Sequence, residues 1–98
     1  MSVVVDNNGF SLRGCDVRWD AIRAIATYKH DVFIYDDICL AFQTEAERWV
    51  EVSEEEVGFQ VLVGEVERRF PNVPEDWFTA VMHPAFEPSS RVLWRIGA

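Results

Sequence analysis

A chain of 98 residues, 49% of them hydrophobic and 27% charged, has enough apolar surface for one core and reads as one domain, 1–98. Seventeen carboxylates against nine basic residues leave a net charge of −8, a field that repels phosphate backbones and anionic head groups and attracts basic proteins. Nucleic acid and membrane are therefore excluded as expected partners, and a protein with a basic surface is the expected one.

The start, MSVVVDNNGF, lacks the basic end and long apolar region of a secretion leader, and no run of about 18 apolar residues follows. The sequence predicts a soluble cytoplasmic protein in which Cys15 and Cys39 stay reduced. Val3 to Val5 form a β-branched run, Asp6 to Gly9 tolerate a tight turn, and Phe10 and Leu12 alternate with Ser11 and Arg13. This is a hairpin from about Ser2 to Arg13, with Gly14 to Asp16 as a connection.

Val17 to Phe42 carries the densest apolar patterning and reads as the central hairpin. Asp20 could cap a helix in which Trp19, Ile22 and Ile25 or Ala26 recur, with a strand as its rival; the preferred reading is one helical turn at Trp19 to Ile22, followed by a strand through about Lys29 and a polar hairpin loop. From Asp37, large Ile38, Leu40 and Phe42 line one strand face while small Cys39 and Ala41 line the other. Thr44 to Glu47 reads as a loop. Arg48 to Val52 then alternates, with Trp49 and Glu51 on one face and Val50 and Val52 on the other.

Ser53 and Glu56 have capping-box spacing, and Glu54 to Glu56 suit the positive end of a helix predicted from about Glu54 to Phe70. Phe59, Leu62, Val63, Val66 and Phe70 form its buried stripe, while Val57 and Val61 fall opposite, either simply exposed, as isolated surface valines commonly are, or covered by Pro84 to Ile96 or by another subunit. Gly58 and Gly64 each weaken a helix by about 0.5–1 kcal/mol relative to alanine, so a close backbone approach is expected at them. Pro71 ends the helix. Pro74 starts a further helical turn leading to Met82, His83 to Ser90 reads as a loop, and alternation around Val92, Trp94 and Ile96 predicts a last strand.

The spacing of Trp19, Ile22, Ile25, Tyr28, Lys29, Asp31, Asp36, Ile38 to Leu40 and Phe42, then Trp49, Glu51, Gly58, Phe59 and Pro84 to Phe86, resembles a small family of uncharacterised bacterial proteins. That resemblance implies no activity. More broadly, an Asp-Asn-Gly hairpin, a Trp-Asp-x-Ile turn, further strands and one amphipathic helix are similar to bacterial pleckstrin-homology-like domains. The resemblance implies that fold, and a lipid-binding member would need a basic surface, for which only Arg18, Arg23 and Lys29 are available.

Two constellations carry potential chemistry. His30 beside Asp31, with Asp36, Asp37 and Tyr28 nearby, could form an acid–base or small-ligand site at the hairpin end. Trp49 with Glu51 would meet a partner if its sheet face is open. Cys15, Cys39, His30 and His83 lack zinc-ligand spacing, Cys39 between Ile38 and Leu40 reads as an inert apolar filler, and no phosphate loop or nucleophile elbow occurs. The expectation is an α+β domain: an antiparallel sheet of about five or six strands with one main amphipathic helix packed on it, pleckstrin-homology-like in outline. Its expected function is that of a non-catalytic acidic interaction module, of inhibitor or immunity type, without cofactor or metal and open to homo-oligomerisation. The expected contact residues are Tyr28, Lys29, His30, Asp31, Asp36, Asp37, Trp49 and Glu51. The alternative is a small-ligand binder or small enzyme using His30 and Asp31.

Overall fold

The computed structural model describes residues 2–32, 35–45, 48–82 and 89–97, with backbone alone at 30–32, 35, 36 and 89. Asp6 makes the first turn: its Oδ1 accepts the backbone N–H of Asn8 at 2.8 Å and of Gly9 at 3.0 Å. This Asx turn folds β1 (Val3–Val5) back on β2 (Gly9–Leu12). The second turn is made by Arg13 and Gly14, at φ of 53° and 78°, which join Leu12 to its cross-strand partner Cys15. Two successive positive φ values match the right-handed twist of a tight hairpin. Cys15–Arg18 is therefore strand β3, where the sequence predicted a connection at its start.

The helical turn at Trp19 forms as a 3-10 segment, Trp19–Ala21. The Trp19 N–H donates to the Asn8 carbonyl at 3.0 Å and its indole N–H to the Asp6 carbonyl at 3.3 Å. The chain is thereby turned out of the first sheet. β1, β2 and β3 close a three-stranded antiparallel sheet, and β4 (Ala24–Val32), β5 (Tyr35–Glu45), β6 (Arg48–Ser53) and β7 (Ser89–Arg95) build a second, ordered β6-β5-β4-β7. The single sheet of five or six strands expected from sequence is thus corrected to two sheets, of three and four strands.

The hairpin at the centre of the chain is also the centre of the larger sheet, but its strands run further than predicted. Their register pairs Lys29 with Ile38, His30 with Asp37, Asp31 with Asp36 and Val32 with Tyr35. His30, Asp31 and Asp36 are ladder residues by their backbones, not loop residues. At its other end β5 continues to Glu45, past the predicted start of a loop at Thr44. The predicted loop 83–90 is corrected at Ser89 and Ser90, which belong to β7, and its remainder lies outside the described residues. A bulge between Ile25 and Ala26 against β7 lets both Leu93 and Trp94 contribute to the core, so Val92 and Ile96 are exposed.

Ile25, Leu40, Phe42 and Val52 from the larger sheet meet Val3, Phe10, Leu12 and Val17 from the smaller one in a shared core. Phe10 ties the layers together, its ring 4.8 Å from Phe42 and 5.8 Å from Trp19. Helix α1 (Phe59–Arg69) adds Phe59, Leu62 and Val66, and α2 (Trp77–Met82) adds Trp77 and Val81.

The expected stripe on α1 is present, yet the helix starts later than Glu54. Ser53 does not cap it: its hydroxyl donates to Asp37 Oδ1 at 2.6 Å and accepts the Glu55 N–H at 3.1 Å. Glu56 pairs with Arg13 at the tip of the second hairpin. The N-cap is instead Gly58, at φ 94°, where a Cβ would lie 2.3 Å from the Val3 carbonyl oxygen. That close approach lets Val57 bridge to Ser2 and accept the Val3 N–H at 2.8 Å. Gly64 has no such neighbour. Val57 and Val61 are 71% and 61% exposed, in line with the plain surface reading, and the described tail residues, the alternative cover, pair with β4.

Candidate functional site

Alternation along β4, β5 and β6 sorts the predicted contact residues between two faces. Ile25, Thr27 and Lys29 point inward with Ile38, Leu40 and Phe42, all of them buried. Lys29 was expected at a contact surface but is only 2% exposed, and its Nζ donates to the Met82 carbonyl at the end of α2 at 2.8 Å. It ties α2 to the sheet. Tyr28, Asp37, Trp49 and Glu51 stand on the outer face, joined there by Cys39, Ala41 and Ser53.

The register explains which of these side chains meet. Ser53 pairs with Cys39, which pairs with Tyr28, while Glu51 pairs with Ala41 and Ala41 with Ala26. The Tyr28 hydroxyl bonds the Glu51 carboxylate across β5. Beneath this link Cys39 and Ala41 are 4% and 6% exposed, although they belong to the outer face. The Asp37 carboxylate is held on both oxygens, by the Ser53 hydroxyl at 2.6 Å and the Cys39 thiol at 3.8 Å.

These contacts determine what the cluster can do. Burial, with the adjoining Asp37 carboxylate, pushes the Cys39 thiol up to about 11. Burial first, and the bonds to Glu51 and Cys39 second, push the Tyr28 phenol upward as well. With both shifted upward, the Cys39 thiol and the Tyr28 phenol serve the cluster as neutral hydrogen-bonding groups. Trp49 stands beside it on edge strand β6, 41% exposed, and Val92 on β7 at the opposite edge is 52% exposed.

The acid–base constellation falls largely outside what is described. The side chains of His30, Asp31 and Asp36, and all of His83, lie outside the described residues, so only Asp37 and Tyr28 of that group can be placed. Among the described residues, no group of three His, Cys, Asp or Glu forms a metal-ligating set. A cleft of about 220 Å³ lies on the smaller sheet among Asp6, Ser11, Asp16 and Arg18, and none of the expected contact residues lines it. It is small beside the ~300–1,000 Å³ of ordinary ligand pockets.

The alternation of β5 places Cys39 on this face, as the sequence predicts, but its hydrogen bond to Asp37 does not follow from that alternation. Ser53 shares the parity of Glu51 on β6, which puts it on the outer face, where it bonds Asp37 and not the start of a helix. Comparison with known protein families, with curated proteins and with solved structures finds no match for the chain.

Proposed function

We propose that the chain is a non-catalytic acidic protein-interaction module, of inhibitor or immunity type, whose partner presents a basic surface. The observation that carries this reading is the outer face of the larger sheet, where an exposed Trp49 stands beside Glu51 in a chain of net charge −8. An aromatic anchor next to a carboxylate is suited to binding cationic side chains. The raised thiol and phenol argue against chemistry at the same face. The reading needs no cofactor or metal, and the net negative field disfavours nucleic acid and anionic lipid.

We also propose a pleckstrin-homology-like plan and a place in the small family of uncharacterised bacterial proteins that the sequence resembles. Two antiparallel sheets sharing a core with α1 support the first; α2 and β7, which follow α1 and add a strand beside β4, depart from that plan. The lipid-binding role such domains can have lacks support, since Lys29 is buried and Arg18 is paired with Asp20. A cytoplasmic location is part of the same reading and suits the two unbridged cysteines. Among the described residues no helix is long and apolar enough to cross a membrane.

Affinity capture on the immobilised chain at low and high salt tests the proposal, with Glu51→Lys and Trp49→Ala as controls. The expected result is retention of a basic protein at low salt, its release at high salt, and loss of retention in both variants. Retention that ignores both salt and Glu51→Lys would rule the reading out.

A further inference from the structure

We infer that Trp49 and Glu51 form a receptor for the guanidinium of an arginine presented by a basic protein partner, an inference that rests on the interaction reading above. Both side chains project from the same face of β6, two positions apart, and are neighbours along the strand. Glu51 has Ala41 as its cross-strand partner on β5, and the short alanine leaves room for the Tyr28 side chain to reach across to the carboxylate. The Tyr28 hydroxyl donates to the Glu51 carboxylate and orients it, while a carboxylate retains acceptor capacity for a second donor.

Elsewhere the molecule itself brings a tryptophan ring, a guanidinium and a carboxylate together. Arg69 lies over the Trp19 ring, 5.0 Å from the centroid, and its Nε donates to Glu65 Oε1 at 3.2 Å. Ring, guanidinium and carboxylate form one unit there. On β6 the ring and the carboxylate are present at the surface, and among the described residues no guanidinium lies over Trp49. Charge complementarity selects the occupant: a chain of net charge −8 concentrates cations near its surface. Arginine is favoured over lysine because a planar guanidinium can stack on indole while its fork reaches a carboxylate, whereas an ammonium is a strongly hydrated point charge.

The test is an NMR titration of the isotope-labelled full chain with N-acetyl-arginine amide, N-acetyl-lysine amide and the uncharged N-acetyl-citrulline amide. The probe signal is the Trp49 indole N–H, assigned with Trp49→Ala. Arginine is expected to shift it saturably and citrulline to leave it unmoved. Glu51→Gln, a surface change that preserves the fold, should weaken arginine binding roughly two- to fivefold, the size of one exposed cation contact. An unmoved Trp49 signal, or an equal response to citrulline, overturns the receptor; an equal response to lysine overturns the guanidinium assignment. Hexa-arginine at low salt separates the two levels of inference. Shifts confined to other carboxylates overturn the receptor while leaving the acidic module standing, and no binding at all overturns both.

Discussion

Replacing Gly58 by alanine tests whether the junction between the two sheets depends on one backbone position. Gly58 sits at φ 94° as the N-cap of α1, and an added Cβ would lie 2.3 Å from the Val3 carbonyl oxygen and 3.2 Å from Val3 Cγ1. An L-residue held in the left-handed region costs about 1–2 kcal/mol. Relief of the clash must push β1 away from Val57, endangering the 2.8 Å bond from the Val3 N–H to the Val57 carbonyl. Its loss contributes about 0.5–1.5 kcal/mol more. The total, about 1.5–3.5 kcal/mol, corresponds to a fall in the urea midpoint of roughly 1–2 M for a domain of this size. Gly64→Ala is the internal control. No atom lies within 4 Å of its added Cβ, and its helical position predicts a gain of about 0.5–1 kcal/mol. Urea unfolding of both variants followed by tryptophan fluorescence gives the comparison. A Gly58→Ala midpoint equal to that of the parent chain would refute the close-approach argument, whatever Gly64→Ala does.

Other consequences can be measured separately. Lys29→Ala removes a fully buried side chain and the donor to the Met82 carbonyl, so it should cost about 2–5 kcal/mol and speed amide exchange in α2; unchanged exchange there would show that Lys29 does not hold that helix. A thiol reagent at mildly alkaline pH should modify the half-exposed Cys15 rapidly and Cys39, pushed up to about 11, only after unfolding; equal rates in the native state would contradict the burial of Cys39. Glu65 is lowered to about 2, first by the hydrogen bond from Arg68 and also by that from Arg69. Because this carboxyl is depressed when folded, its contribution to stability is present above the usual 4.5 and is lost as pH falls toward about 2. Carboxyl NMR should find that midpoint and show it rising in Arg68→Ala; an ordinary midpoint in the parent chain would mean that the exposed pair is screened away.

The amino-acid sequence by itself determined the features that depend on short-range periodicity. The alternation of Ile38, Leu40 and Phe42, the helical stripe of Phe59, Leu62 and Val66 and the outward placement of Trp49 and Glu51 follow from periods of two or 3.6 within a single element, and the Asp6 turn follows from local side-chain-to-backbone bonding. Lys29 shares its parity with Ile25 and Thr27, so the same alternation carries it inward despite its charge.

Only the tertiary structure decided how those elements combine. The Trp19 turn, anchored to Asn8 and Asp6, divided the strands into two sheets. Ser53, which can cap a helix as far as local sequence is concerned, gives its hydroxyl to Asp37 on the neighbouring strand instead. The same register brought Tyr28 over to Glu51 and enclosed Cys39 beneath their contact. The physical reason is common to all three. Alternation specifies which way a side chain points, whereas its hydrogen-bond partner depends on strand pairing, and pairing is set by how the two sheets and α1 share their core.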